Sequence, residues 1–121
     1  MYKVLHAVTR YNQVVNFSDR ACLKTVYSGR GARINGALEA IAASSAARSY
    51  TYLNDVLNDA LRLHLTALVV ALGEAYWVLA PLPKTTVRVR CRIEDLPEGN
   101  ALGYTSEQAA LVAMTTLHLG V

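Results

Sequence analysis

The chain has only two cysteines, Cys22 and Cys91, in 121 residues. That excludes a disulfide-built scaffold, and two thiols alone cannot complete a structural zinc site. Their separation fits no redox motif. A single bridge between them requires that the sheet bring them together. Otherwise Cys91 reads as a small core residue, and a reducing cytosol is the expected compartment. Histidine is equally sparse: His6, His64 and His118 stand far apart, with no metal-binding spacing among them. No nucleophile–base constellation is legible, and no Walker loop or dinucleotide fingerprint occurs. The chain therefore reads more as a binding protein than as an enzyme, and no cofactor is expected. No repeat, low-complexity run or linker interrupts it, so residues 1–121 are expected to form a single domain. No secretory signal is expected either, because Met1 leads directly into a strand-like stretch.

Charge is the next scarcity, at 17 % of residues, while 53 % are hydrophobic. Such a composition excludes disorder. It also leaves little polar surface for a small monomer, which predicts a homo-oligomer or a subunit of a larger assembly. The longest apolar run, Leu65 to Leu82, carries one charge, Glu74, and lies at the lower limit of membrane-spanning length. Gly73-Glu74 in its middle and Pro81-Leu82-Pro83 at its end argue against a membrane helix.

The few charges are unevenly placed. Residues 1–35 hold Lys3, Arg10, Arg20, Lys24, Arg30 and Arg33 against Asp19 alone. A second basic segment holds Lys84, Arg88, Arg90 and Arg92, and an acidic one follows it with Glu94, Asp95, Glu98 and Glu107. Basic charge gathered in two segments points to an anionic partner. Residues 86–94 alternate strictly: Val87, Val89, Cys91 and Ile93 against Arg88, Arg90, Arg92 and the flanking Thr86 and Glu94. In a strand this puts the three arginines in a row repeating at about 7 Å. Planar guanidiniums at that spacing suit the phosphates of a nucleic-acid strand. Gly29-Arg30-Gly31-Ala32-Arg33, just before a helical pattern, is a second candidate for holding phosphate. The competing reading for both segments is a solvated face that keeps the protein soluble.

Aromatic residues are mostly tyrosine, seven beside one Phe and one Trp. Tyr11, Tyr27, Tyr50 and Tyr52 are the candidates to stack bases. His6 is either a hydrogen-bonded core residue or a general base. Asp55 and Asp59, one helical turn apart, repeat with the polar face of a helix and read as solvated.

The expected class is α+β: a small, mainly antiparallel sheet packed by two or three helices. Strands are predicted at Tyr2–Tyr11, Val14–Phe17, near 75–80 and over 85–93. In the first, Val4, His6 and Val8 should share one face. Helices are predicted at about 32–48, 51–72 and 105–117; Asp19 to Ser28 fits either a short helix capped by Ser18 or, through Thr25, Val26 and Tyr27, a strand. The expected function is a non-catalytic, oligomeric binding protein for a phosphate-bearing partner, nucleic-acid backbone or nucleotide. Arg88, Arg90, Arg92, Arg30 and Arg33 would make the contacts. A structural assembly subunit and a small-metabolite enzyme with an arginine clamp are the alternatives.

Overall fold

A computed structural model describes residues 1–27, 32–46, 48–80, 82, 92–97 and 99–118, the side chains of 32–34 and 118 excepted. The α+β class holds: among the described residues, five strands form one antiparallel sheet, with four helices packed on it. The strands are β1 (Tyr2–Thr9), β2 (Val14–Asn16), β3 (Leu65–Leu72), β4 (Ala75–Leu79) and β5 (Ala101–Tyr104), in the order β2-β1-β3-β4-β5. The helices are α1 (Arg20–Tyr27), α2 (Ala32–Ala46), α3 (Leu53–Arg62) and α4 (Glu107–His118).

Both faces of the sheet are covered. On one, α1, α2 and α3 pack Tyr27, Ile41, Leu53, Val56 and Leu57 against Val4, Ala7, Val15, Leu68, Val70 and Leu79. On the other, α4 sets Ala110 and Met114 on Val8, Ala67, Val69, Val78 and Ala80. Two-sided burial is why β1 and β3 read as near-continuous apolar runs.

The predicted helix over 51–72 is corrected. It is the ten-residue α3 followed at once by β3. Leu63 closes the helix, and His64 takes a left-handed conformation at φ 57°, donating its N–H to the Leu61 carbonyl at 3.1 Å. Histidine is one of the few residues other than glycine enriched there. Gly73 is no helix cap. It is the first residue of the two-residue β3–β4 turn, at φ 62°, and Leu72 faces Ala75 across it. A positive φ at that position alone fits the II′ turn, whose twist matches the flanking strands.

The strict alternation expected in β1 is also corrected. Val4 pairs with Val70 and His6 with Val69, so Leu5 is an extra residue, a β-bulge. The bulge places Val4 and Ala7 in the three-helix core and Val8 in the α4 core. His6 pairs with Val69 and so shares the α4 face with Val8 instead of standing with Val4.

Smaller differences are local. The cap of α1 is Asp19, not Ser18: its Oδ1 accepts the N–H groups of Ala21 and Cys22 at 3.0 and 3.2 Å. For α4 it is Ser106, whose Oγ accepts the Ala109 N–H at 3.1 Å. β5 was not expected at all. Its Gly103 lies under the Trp77 ring, where a Cβ would come within 3.2 Å of the indole. Of the strand predicted over 85–93, residues 85–91 lie outside the described residues. The remainder is not strand: Ile93–Asp95 forms a 3₁₀ turn, with Ile93 buried in the core.

The outer edge of β1 is covered in sections. β2 pairs with its second half, from His6 to Val8. Tyr50 forms a two-bond bridge with Tyr2, at 2.9 and 2.8 Å. Between them the Val4 N–H donates to Ser44 Oγ on α2 at 3.2 Å, and that hydroxyl donates to the Ile41 carbonyl at 2.7 Å. Among the described residues no helix is long and apolar enough to cross a membrane.

Candidate functional site

The β1–β2 turn presents an aromatic–cationic pair, Arg10 and Tyr11, both exposed. Thr9 is buried at the end of β1, and its Oγ1 accepts the N–H groups of Tyr11 and Gln13 at 3.3 and 3.2 Å. The Thr9 backbone N–H donates to Gln13 at 2.9 Å, and Asn12 turns the chain at φ 61°. A hydroxyl held inside the fold thus fixes the turn and pushes Arg10 and Tyr11 outward. The Arg10 guanidinium carbon lies 4.9 Å from the Tyr11 ring centroid, and Tyr11 is 63 % exposed. That separation is within cation–π range. A cavity of about 80 Å³ opens beside the pair, bounded by Gln13, Tyr27 and His64. It has room for a few water molecules, at roughly 30 Å³ each, and none for a base. An aromatic ligand would have to lie on the Tyr11 ring.

Of the predicted contact residues, Arg88, Arg90 and Arg30 lie outside the described residues. Arg33 stands in the first turn of α2, where the backbone alone is described. Arg92 is exposed and extended just before the 3₁₀ turn, and its backbone N–H donates to Asp95 Oδ2 at 2.9 Å. Arg92 is the one of the five whose side chain is described. The structure does reject other candidates. Tyr27 is buried and Tyr50 half-buried, so neither offers a free ring to stack on. Tyr50 donates its phenol to Asp59 Oδ2 at 2.7 Å, and Arg62 donates to Asp59 Oδ1 at 3.1 Å. Burial, then the hydrogen bond to the Asp59 carboxylate and that group's charge, push the Tyr50 phenol far above its ordinary range. Asp59 is therefore a structural acceptor and not a solvated surface group; Asp55 remains exposed.

His6 has a partner that the sequence does not reveal. Its Nε2 lies 3.3 Å from Glu107 Oε2, in the first turn of α4, 101 positions along the chain. The His6 side chain is 7 % exposed and that of Glu107 51 %. In a general-base dyad the carboxylate is buried and the imidazole meets substrate. Here the order is reversed. The imidazole sits behind the carboxylate and ties α4 to β1. Cys22 carries a free thiol, and Cys91 lies outside the described residues. Among the described residues no three His, Cys, Asp or Glu side chains gather to hold a metal ion.

No protein-family profile matches the chain, and neither a curated protein nor a solved structure is similar to it.

Proposed function

We propose that the chain is a non-catalytic binding protein for a phosphate-bearing partner, a nucleic-acid strand or a nucleotide, engaged at the β1–β2 turn. One observation carries the reading: Arg10 lies over Tyr11, which the buried Thr9 pushes into solvent. A ring with a cation on one face can take a base on the other. The guanidinium remains free at its edge to meet phosphate in a forked geometry. Arg92 is exposed, and Arg30, Arg33, Arg88 and Arg90 would add charge along the same partner. The proposal includes assembly into a homo-oligomer. Val112 and Leu117 on α4, 53 % and 54 % exposed, support that part.

Fluorescence anisotropy with a labelled thymidine oligonucleotide tests the reading. Tyr11→Ala should weaken binding about tenfold, the loss expected for one stacked base. Tyr11→Phe should retain it. Arg10→Ala and Arg90→Ala should each flatten the dependence of affinity on salt. Equal affinity of wild type and Tyr11→Ala at every salt concentration refutes the site.

A further inference from the structure

α1 and α2 stand side by side on the three-helix face, with an open groove of about 620 Å³ between them. Leu23, Leu38 and Ala42 form its apolar lining. Arg20 and Lys24, both exposed, stand one helical turn apart on the α1 rim. Glu39 stands on the α2 wall. Among the described residues neither cation is paired with a carboxylate. This groove is separate from the β1–β2 turn and independent of the function proposed there.

We infer that the groove binds a singly charged anionic amphiphile: an acyl tail on the Leu23–Leu38–Ala42 lining, its head between Arg20 and Lys24. Three observations select this occupant. The first is size. Small-molecule sites occupy about 300–1,000 Å³, a range that includes this groove. The eight residues of α1 extend only about 12 Å. A docked helix would touch about two turns of it, well short of the roughly 800 Å² that each partner gives to a stable protein interface. The second is lining. A phosphate backbone alone gains nothing from leucine and alanine, whereas each methylene laid there should tighten binding about fourfold. The third is charge. Arg20 and Lys24 attract an anion, and Glu39 across the groove opposes a second negative charge on the same ligand.

The test uses the whole chain and the fluorescent sulfonate 8-anilinonaphthalene-1-sulfonate, itself an apolar ring system with one negative charge. Dodecanoate, below its micellar concentration, should displace it; butyrate and inorganic phosphate should not. Lys24→Glu, an exposed change, should weaken dodecanoate about tenfold. Ala42→Trp, which lays an indole over the apolar lining and leaves the charges in place, should abolish binding, with circular dichroism confirming the fold. Dodecyltrimethylammonium binding as tightly as dodecanoate would overturn the proposal. So would an acidic amphipathic peptide that binds where dodecanoate does not, or two variants that both bind like wild type.

Discussion

The two faces of the sheet are buried by different means. The three-helix face uses large side chains: Ile41, Leu53, Leu57, Leu68 and Leu79 are all within 1 % of full burial. The α4 face uses small ones, with Ala67, Ala80 and Ala110 around Val8, Val69, Val78 and Met114. Alanine lets a helix lie close to a sheet, but it removes little apolar area from water. The first face should therefore supply most of the stability, and α4 should be the layer most easily loosened. α4 carries no charge between Gln108 and Leu117, and its outer side mixes exposed Val112 and Leu117 with Gln108 and Thr116.

The comparison predicts a graded series of losses. Leu57→Ala should cost about 3–4 kcal/mol and Met114→Ala about 2 kcal/mol, since α4 can settle onto its small neighbours. Urea unfolding midpoints decide this, and equal losses at the two sites would remove the distinction. Tyr50→Phe, at the rim of the large-residue face, should cost about 1 kcal/mol at neutral pH, the worth of one hydrogen bond. It should also change the alkaline limb of stability. The folded state holds the Tyr50 proton above the ordinary 10.0, so above that pH the unfolded chain binds fewer protons than the native one. The stabilisation is complete below pH 10 and is lost as pH rises beyond it. The phenylalanine variant should fall less steeply than wild type between about pH 10 and 12. Smallest of all, Glu107→Gln should cost about 0.5 kcal/mol or less, because its carboxylate is half in water. Hydrogen exchange should place that effect in the α4 amides. A loss there as large as that of Leu57→Ala would make the polar tie, and not the alanines, what holds the layer.

The contrast also explains what could be read from the residues. The α+β class was legible, as were the starts of β1 and β2 and most of α2 and α4. The α3–β3 boundary was not. In β3, burial on both faces erases the two-residue period, and Leu65, Ala67, Leu68, Ala71 and Leu72 are good helix formers. The helix stops on a left-handed histidine, so no glycine or proline marks its end. The visible hint was the loss of a polar face after Leu63. The Leu5 bulge was equally silent, since both faces of β1 are apolar near it. β5 was hidden by the glycine in its middle, which makes sense only beneath Trp77. At the site, Arg10 and Tyr11 were legible as members of a basic half with tyrosines. Their stacking depends on the Thr9 hydroxyl, and the His6–Glu107 contact joins positions too far apart for any local pattern.

Ser44 has a consequence beyond one hydrogen bond. Its hydroxyl stands where a neighbouring strand would otherwise meet the Val4 amide, and it returns its own proton to α2. α2 is thereby keyed to the sheet: neither a roll about its axis nor a slide along it is possible without stranding a buried backbone donor. Leu38 and Ala42, on the same helix, inherit that fixed azimuth. A molecule arriving at this wall finds it preorganised, so the entropy of ordering it was surrendered during folding and is not charged against affinity.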